Sequence, residues 1–118
     1  MHVRGNQATT ASMVAAVGSP AGGSRAARGD APVIRLWVAL GSPCVSVYVP
    51  LAFDAPMPPL LGAASTWHRF ARLRDRVDAD PEALAAVRAV LAPIELALGT
   101  GPASDLSALD AALTSLGV

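Results

Sequence analysis

The sequence predicts an α+β fold, and three observations predict it. Strand-like segments fill the chain up to Pro50, helix-periodic segments fill it from Ser65 onward, and a proline-punctuated crossover from Leu51 to Ala64 (Pro56, Pro58, Pro59) separates them. Strands and helices segregated in this way place helices on one face of an antiparallel sheet; alternating elements would instead give parallel βαβ units.

The first predicted strand is Thr9 to Val17. Ala11, Met13, Ala15 and Val17 share one face at period two, with Thr10 and Ser12 on the other. Gly18 to Pro32 is a loop rich in Gly, Ala and Arg, long enough for an insertion between paired strands. Val33 to Leu40 is the second strand, apolar on both faces except for Arg35, the pattern of a strand covered on both sides. Gly41-Ser42-Pro43 turns the chain into a third strand, Cys44 to Val49. There Val45, Val47 and Val49 oppose Cys44, Ser46 and Tyr48, and Pro50 stops the run. Three consecutive strands joined by turns predict an antiparallel meander.

Three helices follow. Trp67, Phe70, Leu73 and Val77 recur at helical spacing while Arg69, Arg72 and Arg76 share the other face, with Asp75 and Asp78 as local partners. Asp80-Pro81-Glu82 starts the second helix: a cap, a proline in the first turn and an acid near the positive end of the dipole. Its apolar stripe is Leu84, Val87, Leu91, Ile94 and Leu98, and Pro93 is expected to kink or end it. The last helix, capped by Ser104 or Asp105, aligns Leu106, Leu109, Leu113 and Leu116 and finishes at Gly117. The organisation is therefore one partial domain over 1–118: a meander in 1–50 with the 18–32 loop, the crossover 51–64, and a helical part 65–118. A three-stranded sheet has two open edges, and the second face of strand two has no cover, so the chain reads as incomplete and is expected to be marginal or prone to aggregate alone.

Composition narrows the function classes. Of 118 residues 53% are hydrophobic, but much of that is alanine and only 4% are aromatic, so the core is smaller than the hydropathy implies. All nine basic residues are arginine, a bias like that of high-GC bacterial genes, and the net charge is zero. No global field favours nucleic acid or an anionic membrane. The uncharged run Leu36 to Phe53 is broken by Gly41, Ser42 and Pro43, which argues for strands around a turn and against a membrane span. Asn6, Gln7, Thr9, Thr10 and Ser12 leave no apolar leader core. The single Cys44 excludes an internal disulfide and suits a reducing cytoplasm.

Cys44 with His2 or His68 suggests a thiol–imidazole pair, but a cysteine between a turn proline and a valine-rich strand reads better as a small buried hydrophobe. The histidines lack metal-ligand spacing, and no metal or cofactor is expected. Gly22-Gly23 does not sit between a strand and a helix, so it is no phosphate loop. Arg28-Gly29-Asp30 is a coincidental tripeptide. The arginine face reads as a solvated helix surface.

Taken in order, Met1-His2, Gln7-Ala8-Thr9-Thr10-Ala11-Ser12-Met13-Val14, Leu36-Trp37-Val38-Ala39-Leu40-Gly41-Ser42-Pro43 and Ser46-Val47-Tyr48-Val49-Pro50 resemble the C-terminal region of the secernin family and its related bacterial dipeptidases. Thr66-Trp67-His68-Arg69 is similar to the aromatic-His segment that follows in that family; Ala8, between the glutamine and the threonines, is a departure. The resemblance implies an N-terminal nucleophile hydrolase fold, an αββα sandwich, in which a leading cysteine attacks an amide of a short peptide and its own α-amine is the general base. Here removal of Met1 would expose His2, and Cys44 lies mid-chain with its nitrogen in a peptide bond. No catalytic residue is therefore assigned. On this resemblance the chain is expected to be a C-terminal fragment of a secernin-like cysteine peptidase or amidase, through an internal start, a decayed gene or a split subunit. Its partner would be the missing N-terminal half or a second copy. His2, Arg4, Thr9 and Thr10, near the start of the first strand, are the candidates for contact with substrate. The rival reading is a non-enzymatic interaction module using the Arg69/Arg72/Arg76 face or the open sheet edge.

Overall fold

The computed structural model describes residues 11–18, 33–99 and 105–118. It is α+β, with a sheet of order β1-β2-β3 followed by helices. The strands are β1 Ala11–Gly18, β2 Val33–Leu40 and β3 Val49–Leu51. The helices are α1 Pro59–Gly62, α2 Ala64–Ala79, α3 Ala83–Leu98 and α4 Ser107–Ser115.

The meander is antiparallel throughout. β1 pairs with β2 from Ala11 opposite Leu40 to Gly18 opposite Val33, and β3 pairs Val49 with Val38 and Leu51 with Leu36. Opposed residues share a face. Ala11, Met13, Ala15 and Val17 therefore lie with Leu40, Val38, Leu36 and Ile34, a wholly apolar set. Ser12, Val14 and Ala16 lie with Ala39, Trp37 and Arg35 on the reverse.

The third strand differs from expectation. The chain at Pro43–Val45 makes a 3₁₀ turn and the strand is only Val49–Leu51, with Pro50 inside it opposite Trp37. Pro43 fixes its own φ and nucleates the turn, with Val45 N–H donating to the Ser42 carbonyl at 3.0 Å. Pro50 is admissible because β3 is an edge strand, where a missing N–H need not break a ladder. The valine alternation did mark burial, since Val45, Val47 and Val49 are all buried in the core, but in a largely irregular segment.

One core joins that segment to the helices. Phe70, Leu73 and Val77 of α2, Val87 and Leu91 of α3, and Leu109 and Leu113 of α4 close on Val45, Val47 and Val49. Thr66 is buried at the start of α2, whereas Trp67, expected in the stripe, is only half-buried. Pro93 does not end α3, which runs on to Leu98. Pro93 and Ala89, one turn before it, are both exposed, so the carbonyl that loses its partner faces water. The crossover contains α1, an extra turn of helix. Strand β2 is not covered on both sides: Ile34 and Arg35 are exposed and Trp37 is half-buried.

Gly41 permits the β2-to-helix contact. Its φ is +75°, and a Cβ there would stand 3.1 Å from Phe70 Cβ. Gly41→Ala is expected to cost about 1–2 kcal/mol for the left-handed backbone alone and more for displacing Phe70. A lowered urea midpoint at unchanged slope would register it.

Candidate functional site

His2, Arg4, Thr9 and Thr10 lie outside the described residues. What is described is the strand they lead into and the surface it presents. Ser12 Oγ accepts a hydrogen bond from Tyr48 Oη at 3.1 Å, tying β1 to the segment between the 3₁₀ turn and β3. That segment is itself pinned from α3. Arg88 Nη1 donates to the Ser46 carbonyl at 2.8 Å and Glu95 Oε2 accepts the Tyr48 N–H at 2.7 Å. Arg88 and Glu95 are two helical turns apart and so share a face, and their own ion pair is long at 3.7 Å. Each charged group thus meets a main-chain group that no strand ladder satisfies. The Ser46 hydroxyl is buried with no hydrogen-bond partner among the described residues.

Cys44 and His68 are differently placed. Cys44 sits in the 3₁₀ turn, half-buried against the core, with Sγ 3.4 Å from Ser42 Oγ. His68 is exposed on α2, its ring edge-on to Trp67 with centroids 5.0 Å apart. Among the described residues no group of three His, Cys, Asp or Glu side chains could hold a metal ion. No helix among them is long and apolar enough to cross a membrane.

The arginine face is not simply solvated. Arg69 Nε donates to the Val118 main-chain oxygen at 2.9 Å, and Nη2 donates to the Asp110 carbonyl and to Thr114 Oγ1, both at 3.0 Å; Nη1 pairs with the Asp110 carboxylate. Arg76 Nη1 donates to the Leu116 carbonyl at 2.6 Å. Two of the three arginines therefore dock α4 onto α2 and neutralise the carbonyl end of α4. The spacing of seven between them was visible in the sequence; the acceptors were not, because they are main-chain atoms some forty residues away. The neighbouring Arg74–Asp75 pair, at 2.6 Å, is a local one.

The feature that faces outward is the β1–β2 ribbon. Val38 and Leu40 reach the core, but Met13 and Val17 on the same face are 68% and 71% exposed, and Ile34 is 44% exposed. On the reverse face Val14 is 47% exposed. Between the ribbon and the crossover lies a cleft of about 360 Å³, walled by Ala11, Met13, Val38, Leu40, Met57 and Leu61. Its walls are apolar, so it accommodates aliphatic groups and offers little to fix a charge.

No family model, curated protein or solved structure matches the chain.

Two predictions follow from the helical clamp. Arg69→Ala is expected to cost about 1.5–3 kcal/mol, from the charge-assisted bonds to main-chain acceptors, the exposed Asp110 pair adding little. Arg69→Lys should recover less than half, since an ammonium cannot span the fork of acceptors; paired denaturation curves test both. At the other end of α4, the Ser107 N–H and hydroxyl hold the Asp105 carboxyl below its ordinary value, the N–H donating to Oδ1 at 2.9 Å. A depressed folded-state pKa contributes stability above the unfolded pKa and loses it as pH falls through the folded one. Asp105→Ala should therefore lower Tm at neutral pH, and the gap from the parent should close on acidification below the usual aspartate range.

Proposed function

We propose that this chain is the C-terminal scaffold portion of a secernin-like amide hydrolase of the dipeptidase type, acting on short peptides together with a portion that carries the leading cysteine. The observation that carries the reading is the uncovered ribbon. Met13, Val14, Val17 and Ile34 are exposed across both faces of one strand pair, as suits a sheet whose second layer comes from elsewhere. The ordered run of motifs from Met1-His2 to Val49-Pro50 is the second support.

In this reading the chemistry needs a thiol and a free amine on one residue. Cys44 does not supply them, because its nitrogen is in a peptide bond and its sulfur lies against the core. The chain contributes walls. On the same resemblance, His2, Arg4, Thr9 and Thr10 are the polar groups proposed to meet the carboxylate or carbonyl of a short peptide. The reaction uses no metal or organic cofactor, and a reducing cytoplasm suits its thiol.

The interaction-module reading now rests on the sheet edge, since Arg69 and Arg76 are engaged within the chain. The two readings separate experimentally. The 118-residue chain alone should leave a panel of dipeptides uncleaved, and the coding frame upstream of Met1, or a neighbouring gene, should encode a Met-Cys start. Turnover that Cys44→Ser abolishes would overturn the proposal, as would a stop codon directly upstream with no such neighbour.

A further inference from the structure

The outer edge of β1 differs from the other described edge of the sheet. Its eight residues, Ala11–Gly18, contain no charge and no proline, and no described residue pairs with that edge. Edges of this kind are ordinarily blunted by lysine, proline, a bulge or cover, because their free N–H and C=O groups template a further strand. The opposite edge is blunted: β3 has three residues and Pro50 is one of them.

We propose that this edge pairs antiparallel with the same strand of a second copy of the chain, about a twofold axis passing at Val14. The register follows from the faces. A twofold perpendicular to the sheet keeps both apolar faces on one side, so opposed residues must have the same parity, and the axis must pass at a residue rather than between two. At Val14, Met13 meets the partner's Ala15, Ala11 meets the partner's Val17 and Ser12 meets the partner's Ala16. Bulky and small side chains thus alternate across the junction on the apolar face. An axis at Ala15 would instead oppose Met13 to the partner's Val17 and leave the two alanines facing each other across a gap. The neutral edge holds no charge by which to select an unlike partner or repel its own copy.

Size sets the strength. A strand of eight residues at ~3.4 Å per residue and a sheet ~10 Å thick give an edge of about 270 Å² per copy. Both copies together fall short of the ~1,000 Å² of a stable interface. The product is therefore a reversible, concentration-dependent dimer, closed because the other described edge, β3, is blunted by Pro50. The inference does not rest on the hydrolase reading and survives its failure.

Sedimentation velocity on the 118-residue chain, from low micromolar to several hundred micromolar, should show a shift from monomer to dimer and no further growth. Val14→Lys sets two cations opposite each other at the axis and should raise the dissociation constant at least tenfold with helical circular dichroism unchanged. In a Cys44→Ser background, Val14→Cys should oxidise to a covalent dimer, since opposed Cα atoms in such a pair lie ~4.5–5.5 Å apart, within disulfide reach. Ala11→Cys, which faces the partner's Val17, should not. Monomer at every concentration, or a dimer indifferent to Val14→Lys, would overturn the proposal. So would cross-linking through Ala15→Cys but not Val14→Cys, which overturns the register.

Discussion

The rest of the structure depends on where its single core lies. Phe70, Leu73, Val77, Val87, Leu91, Leu109 and Leu113 close on Val45, Val47 and Val49, not on the middle of the sheet. Among the described residues the sheet joins this core through Val49 of β3, with Val38, Leu40 and Leu51 packed against it. With few aromatics and many alanines, the helices have enough apolar surface to enclose one valine-rich segment and not enough to reach β1.

That constraint explains why the segment between the turn and β3 needs polar tethers. Buried main-chain groups outside a ladder must find partners, and Arg88 and Glu95 supply them to Ser46 and Tyr48. The same logic holds at α4. It is the shortest of the three long helices, nine residues, and cannot hold itself in water by propensity alone. Asp105 accepts the Ser107 N–H at its start, Arg76 takes the Leu116 carbonyl at its end, and Arg69 spans Asp110, Thr114 and Val118 between, so its leucine stripe stays seated on α2 and α3. The arginines act here as mortar between helices.

Much of this was legible in the residues. Period two on Ala11, Met13, Ala15 and Val17 named the face that the register then paired with Ile34, Leu36, Val38 and Leu40. The stripes of α3 and α4, with Gly117 at positive φ after α4, were equally plain. Illegible were features decided by tertiary contact. Alternation in Val45, Val47 and Val49 looked like a strand, but the segment is largely irregular and buries Ser46 between the valines as well. Pro93 looked like a kink or a stop because its ring removes a helix hydrogen bond, yet it lies off the stripe on the side that meets water, where the helix runs on. Nothing in the sequence marks Glu95 as the acceptor of the Tyr48 N–H, a contact across 47 residues. The proposed substrate contacts, His2, Arg4, Thr9 and Thr10, belong to the stretch leading into β1, where pattern alone speaks.

The two edges of the sheet carry the final step. Had the ribbon merely been left bare by a shrinking core, both edges would be expected to look alike, since neither would have a use. They do not. β3 is short, carries Pro50 and has Val49 and Pro50 buried, whereas β1 is long, neutral and unpaired on its outer edge among the described residues, with large side chains exposed on each face. A chain that closes one edge by proline has the means to close the other, and a single lysine at Val14 or Val17 would do so without disturbing any core residue. The asymmetry therefore argues that β1 is an edge kept for pairing. It supports the proposal that a further strand pairs beside Met13, Val14 and Ala15.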